Sequence, residues 1–320
     1  MGHRVSQEGQ ARRLGFLLLD GYALMSTAAA MEPFRAANLF APAPLYEMQT
    51  LHRPGNEGRS SVGAAFPSVP YTQAPGHLDM LFVVAGGDPM ALRDPALFAW
   101  LGRQARAGVA LGGISGGAVV LASAGLLEGY RFTAHWHHEA EIRAAWPALL
   151  LERRLFLIDR DRYTCAGGTS PLDMMHAVIA RDHGTRFAQR IADWFIQTEI
   201  RPPDAPQQGS LAARYGDLPA AVEAAVALME SHIADPLDLG QLAGLSGLSS
   251  RQLQRQTRAA TGLSVMALYR GIRLATAKEL LARPGLSVGE IAQMTGFVSQ
   301  AHFAEAFGKA YGQAPSGVRG

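Results

Sequence analysis

The sequence predicts two folded units: an α/β domain with a mostly parallel sheet, then an all-α domain with two helix-turn-helix motifs. Three observations predict it. Over the first 200 residues, short continuous apolar runs alternate with helix-period stretches, the pattern of strands buried on both faces by crossover helices. Beyond residue 218 the strand pattern vanishes, and the last hundred residues contain an internal duplication. Between the two lies Arg201-Pro202-Pro203-Asp204-Ala205-Pro206-Gln207-Gln208-Gly209-Ser210, with three prolines in ten residues, which reads as a linker.

Each element has its own signal. Arg13 to Leu19 is an apolar run ended by Asp20-Gly21, as for a doubly buried strand. Ala23 to Leu39, rich in Ala, Met and Leu, reads as a helix. Leu45 to Leu51 alternates like a half-buried strand, and Asp79 to Ala85 is a second buried run ended by Gly86-Gly87-Asp88-Pro89. Asp94-Pro95 opens a helix to about Ala107, with proline at the favoured first position. Val109 to Gly113 is a third buried strand, leading into Ser115-Gly116-Gly117 and a helix to Ala124. The alternation weakens after Tyr163-Thr164-Cys165-Ala166, and Pro171 to Ile196 reads as two helices. The expected boundaries are a flexible segment 1–12, the α/β domain 13–200, the linker 201–218 and the helical domain 219–320.

The duplication is the most specific signal. Leu237, Leu239, Leu242, Ala243, Leu245, Gly247 and Leu248 recur 49 residues later as Leu286, Val288, Ile291, Ala292, Met294, Gly296 and Phe297. One inserted residue then moves the offset to 50, pairing Leu253 with Phe303, Thr257 with Phe307 and Gly262 with Gly312. Each copy reads as a short helix, a glycine turn and a second helix, joined by a long helix from about Ser264 to Ala282. Turns are expected at Asp235-Pro236, Gly247, Gly262, Pro284-Gly285 and Gly312.

Composition narrows the class. Hydrophobic residues make up 48%, enough for a full core, and one Cys excludes a disulfide framework or a multi-Cys metal site. This suits a reducing cytoplasm. No run approaches the ~20 apolar residues that span a bilayer, and the start lacks a signal-peptide core. The net charge is +2, and that excess sits in residues 219–320, where nine Arg/Lys face seven acids. It is too small to establish nucleic-acid binding by itself.

Ser299-Gln300-Ala301-His302-Phe303-Ala304-Glu305-Ala306-Phe307-Gly308-Lys309-Ala310-Tyr311-Gly312, followed by Pro315-Ser316 and Arg319, resembles the C-terminal signature of AraC-type transcription regulators. Ser249 through Gly262 resembles the other half of that DNA-binding domain. The resemblance implies that each second helix enters a major groove, with the linking helix setting the two about one DNA turn apart. It places Arg251, Gln252 and Arg255 at the bases in the first copy, and Gln300, Ala301 and His302 in the second. Arg suits guanine and Gln suits adenine. Glu305 and Gly308 stand where the family usually has basic residues, so the first helix is expected to dominate base reading. Arg258 and Arg270 are either phosphate contacts or parts of a solvated face.

In the front half, Gly112-Gly113-Ile114-Ser115-Gly116-Gly117-Ala118 makes a tight strand-to-helix elbow, and Gly86-Gly87 ends the neighbouring strand. Ligands bind at such carboxyl-terminal sheet edges. With Met31-Glu32-Pro33, Gly125-Leu126-Leu127-Glu128-Gly129, His135-Trp136, and Gly167-Gly168-Thr169-Ser170 with Asp173, this half resembles the PfpI/ThiJ-type, class I glutamine-amidotransferase-like fold, a flavodoxin-like sandwich. Enzymes of that fold keep Cys at the elbow, often followed by His. Here the pair is Ser115-Gly116, so hydrolysis is not expected. Cys165 is expected to be buried and inert.

What remains is a pocket in which Ser115 Oγ and the Gly87 and Gly116 N–H groups hold a carboxylate. Trp136 would offer a face to a quaternary ammonium or guanidinium, with core packing as its alternative. His135 is a candidate neighbour, and Glu32 resembles the family's acidic residue beside the elbow, or is a buried structural carboxylate. His135, His137 and His138 read as a helix start rather than a metal site, and no cofactor or metal is expected.

Together the two resemblances imply a cytoplasmic, ligand-responsive regulator, an activator of a catabolic pathway, nearest to regulators of glycine betaine, carnitine or arginine catabolism. The implied partners are promoter DNA, that small metabolite, RNA polymerase and a second copy of the chain, with no membrane. The alternative is a PfpI-type amidase or hydrolase with Ser115 as nucleophile and an accessory DNA-binding domain.

Overall fold

The computed structural model describes residues 11–74, 76–205, 207, 218–281 and 286–319. It divides into two units, 1–207 and 208–320. In the first, β1 (Arg12–Leu18), β2 (Tyr46–His52), β3 (Val69–Pro70), β4 (Met80–Ala85) and β5 (Ala110–Ser115) run parallel, and β8 (Phe156–Asp159) and β9 (Arg162–Cys165) complete the sheet. The order is β3-β2-β1-β4-β5-β9-β8, with β9 parallel to β5 and β8 antiparallel to β9. β6 (Arg131–Phe132) and β7 (Leu150–Leu151) form a separate short pair.

Period-two alternation splits the strands between two cores. Met80, Phe82 and Val84 of β4 face one core with α1 (Leu24–Phe40), α5 (Ser170–His183) and α6 (Thr185–Trp194). Leu81, Val83 and Ala85 face the other, with α2 (Pro95–Arg106), α3 (Gly117–Ser123) and α4 (Glu139–Ala145). This three-layer sandwich explains why β4 reads as six apolar residues in succession: both its faces are covered. Asp94 caps α2 by accepting the Leu97 N–H at 3.0 Å, so the Asp-Pro start works as its chemistry requires.

Three expectations change. The third strand runs on to Ser115 itself, so the elbow residue is the last of β5. One strand went unread: β8 forms a hairpin with β9 through Arg160 at φ 56°, too short to show a period, whereas after β9 the described residues of this unit hold only the two expected helices, α5 and α6. And the front of the expected linker belongs to the first unit, because Leu155 N–H donates to Pro203 O and the Arg201 and Gln207 side chains bond within it. Residues 1–10, 206 and 208–217, within the segments read as a flexible start and a linker, lie outside the described residues, as does the Pro284-Gly285 turn.

The second unit repeats itself in its caps as well as its core. α8 (Leu239–Leu245) and α11 (Val288–Met294) each have seven residues, with capping boxes at Asp238 and Ser287. α9 (Ser250–Thr261) and α12 (Gln300–Tyr311) each have twelve, start at Ser249 and Ser299, and end on left-handed Gly262 and Gly312. Leu242 with Ala243, and Ile291 with Ala292, are buried where each short helix meets its partner. α7 (Ala220–Ser231) packs on the first copy, and α10 (Val265–Leu281) joins the two. The Arg273 guanidinium of α10 donates to Thr295 O at 2.7 Å and Gly296 O at 2.5 Å and lies over the Phe297 ring, fixing the linking helix to the second turn.

Candidate functional site

The elbow is built from absences. A Cβ on Gly117 would lie 1.9 Å from Val83 O, and one on Gly113 would lie 2.6 Å from the Ala118 backbone, so α3 can rise directly off β5 only with glycine at both. Ser115 stands between them at φ 57°, a left-handed conformation rare outside Gly, Asn and Asp. Gly167 presses on it, since a Cβ there would meet Ser115 Oγ at 2.9 Å.

Among the described residues no hydrogen bond joins Ser115 Oγ to a base. His135 Nδ1 accepts the His137 N–H at 3.1 Å and so caps the short turn Trp136–His138, which leads into α4. The chain's thiol, Cys165, lies behind the elbow in β9 and is fully buried; burial pushes its pKa up to about 12, offset in part by hydrogen bonds from the Gly167 and Ser115 backbones and Ser170. A thiol so placed is neither exposed nor ionised at neutral pH.

The predicted ligand residues are arranged differently from the expectation. Gly87 is exposed at φ 62° at the end of β4, but the Gly116 N–H donates to Ala85 O at 3.0 Å. It is already spent inside the sheet, which corrects its assignment as a carboxylate donor. Glu32 is also corrected. It lies eight residues into α1, about 12 Å along the axis, and pairs with Arg35 at 2.7 Å on a half-exposed face. It is not a buried carboxylate either. Trp136 is half-buried, its ring packed between those of His135 and His137 at 5.3 and 5.6 Å.

Two anchors near this edge escaped sequence reasoning. The Trp136 N–H donates to Gln207 Oε1 at 2.7 Å, while Gln207 Nε2 reaches Arg154 O at 2.6 Å and Ala134 O at 3.0 Å. Asp173, fully buried in the first turn of α5, accepts from Gln197 at 2.9 Å, the Arg201 N–H at 2.9 Å and the Arg201 guanidinium at 2.6 Å. Arg201 and Gln207 thus pin the start of the interdomain segment beside the Ser115 edge. Only a buried-carboxylate-plus-Arg pattern could have signalled this, and pairings across 28 residues have no period.

In the second unit, Arg251, Gln252, Arg255 and Arg258 are exposed on α9, while Leu253 and Thr257 face inward. Gln252 is not a free adenine reader. Its Oε1 accepts from the Ser249 N–H at 3.0 Å and hydroxyl at 2.8 Å, closing the capping box and leaving only its NH2 group outward. On α12, Gln300, Ala301 and His302 are exposed at the N-terminal end, with the His302 ring against Phe297 at 5.7 Å. Glu305 pairs with Lys309 at 2.6 Å, and that contact holds its carboxyl below the usual range. The second helix therefore offers no unpaired cation at this position, whereas α9 offers two Arg one turn apart. Arg258 and Arg270 are exposed as well.

A flavodoxin-like α/β unit with a Ser115-Gly116 elbow, followed by a duplicated helix-turn-helix unit with Arg on its outward helix, defines a DNA-binding transcription regulator. Residues 46–181 match the DJ-1/PfpI family and residues 242–320 match a helix-turn-helix domain family. The chain is 42% identical to the HTH-type transcriptional regulator GlxA of Rhizobium meliloti, over 98% of this chain and 97% of that one. It is 37% identical to the HTH-type transcriptional regulator CdhR of Pseudomonas aeruginosa, over 94% and 89%. A crystal structure of an AraC family transcriptional regulator from Pseudomonas putida covers 57% of this chain and 99% of its own, at a TM-score of 0.54 and 28% identity. The chain belongs to the AraC-type transcriptional regulators that carry an N-terminal DJ-1/PfpI domain. No helix among the described residues is long and apolar enough to cross a membrane.

Proposed function

We propose that the chain is a cytoplasmic sensor-regulator whose first unit binds a small quaternary-ammonium or amino-acid metabolite and whose second unit activates a catabolic promoter. The observation that carries the reading is the pairing of a hydrolase-like elbow without thiol or base with a fully capped pair of helix-turn-helix motifs. RNA polymerase and a second copy of the chain are the expected partners, by family resemblance.

Ligand can act only by binding two conformations or assemblies unequally. The Arg201 and Gln207 anchors supply a route, because the segment leading to the second unit begins beside the sheet edge. The rival reading, an amidase using Ser115, is supported by the strained φ of that residue alone.

Ser115→Ala separates the two. The sensor reading predicts full DNA affinity, with no amide or ester turnover in either wild type or variant. Steady turnover in the wild type, lost in the variant, would establish the amidase instead.

A further inference from the structure

A recess lies at the point where the sheet order reverses. β1 connects outward to β2, and β4 outward to β5, so the crevice between the carboxyl ends of β1 and β4 is the topological switch point, where open α/β sheets bind ligands. A cavity of about 80 Å³ opens there, lined by Asp20 after β1, Arg53 after β2, Gly86 and Asp88 after β4, and Leu92. Gly86 lets the β1 and β4 loops touch, since a Cβ on it would lie 2.2 Å from Gly21 O. Pro89 separates the recess from the elbow, packing against Gly116 on its other side.

Its polar groups are held in place. Arg53 Nε donates to Asp94 Oδ2 at 2.8 Å, and the other oxygen of that mostly buried carboxylate caps α2. Among the described residues neither Nη of Arg53 makes a hydrogen bond, so the outer edge of a fixed guanidinium fork is open to a carboxylate. Asp20 Oδ1 accepts the Arg59 N–H at 2.9 Å and Asp88 Oδ1 the Ala91 N–H at 3.2 Å, which fixes both carboxylates and leaves an oxygen on each. A simple anion would meet the two acids and a simple cation would meet Arg53. A zwitterion satisfies both. A volume of 80 Å³ equals two or three waters, enough for one amino-acid or betaine head group with the remainder in the open mouth.

We infer that this recess, and not the Ser115 elbow, is the effector site, and that it takes a small zwitterion whose carboxylate sits on Arg53 and whose cationic group faces Asp20 and Asp88. The inference rests on the sensor reading above and names its site and ligand class. Leu92 closes the apolar wall, so a larger side chain there fills the recess without touching a charge.

Titration calorimetry of the full-length protein tests it, with glycine betaine, dimethylglycine, L-carnitine, L-arginine and L-alanine, and with choline and agmatine as counterparts lacking the carboxylate. At least one zwitterion is expected to bind, with choline and agmatine, which carry the cation without a carboxylate, at least tenfold weaker. Arg53→Gln and Leu92→Phe should each weaken binding at least tenfold, while Ser115→Ala stays within twofold. Leu92→Phe keeps the test decisive should Arg53→Gln disturb the cap of α2. Wild-type binding that both recess variants leave intact overturns the site and spares the sensor reading. Absence of binding by any member of the panel overturns the sensor reading, and the site falls with it.

Discussion

Single residues decide what the elbow can do. Ser115 stands at the elbow at a left-handed φ of 57° that few non-glycine residues adopt, and the chain's thiol, Cys165, lies on the neighbouring strand. The burial of Cys165 was legible from its place in a late strand-like run; its position against the Ser115 backbone was not, because register between β5 and β9 is a tertiary fact. With the thiol raised to about 12, folded protein at pH 8 should show no reaction with a thiol-specific disulfide reagent, and one equivalent should react in denaturant. Rapid labelling of the native chain would contradict the burial. Glu32 and Gln252 teach the opposite lesson. Both carry the right chemistry for their expected roles, yet each is claimed by a neighbour three residues away, Arg35 in one case and Ser249 in the other. A motif match names a residue type; local hydrogen bonding decides whether that side chain is free.

At the scale of elements, the duplication was legible almost completely, since equal helix lengths, caps and buried positions all follow from a 49- to 50-residue offset. The fastening between the copies was not. Arg273 counts in the sequence as one more positive charge on a helical domain, and burial lowers its pKa as its guanidinium enters the second turn. It is therefore a strut, unlike the exposed Arg251 and Arg255. Removing two charge-assisted bonds to buried carbonyls costs about 3 kcal/mol. Arg273→Ala should lower the urea midpoint of the second unit accordingly, with Arg258→Ala, at an exposed position on α9, changing stability by under about 0.5 kcal/mol. Equal effects from the two substitutions would show that Arg273 is an ordinary surface charge. Short elements such as β8 and the anchors at Arg201 and Gln207 stayed hidden for one reason: they are set by contacts distant in sequence, which leave no periodic trace.

For the whole molecule, we propose that α9 and α12 read DNA, with α9 dominant because its arginines are exposed and the one lysine of α12, Lys309, is engaged by Glu305. Two recognition helices joined by a 17-residue helix predict a site with two blocks about one turn, roughly 10.5 base pairs, apart. A guanine-reading Arg is worth about 1–3 kcal/mol at its base pair. The most direct measurement is selection of duplexes from a random library by the full-length protein, followed by anisotropy titration of the enriched sequence with wild type and Arg251→Ala/Arg255→Ala. The account predicts one enriched two-block sequence, a loss of at least tenfold in affinity for it in the double variant, and little change on unrelated DNA once the lost phosphate attraction is matched by salt. No enriched sequence, or equal affinity of wild type and variant for one, would contradict it.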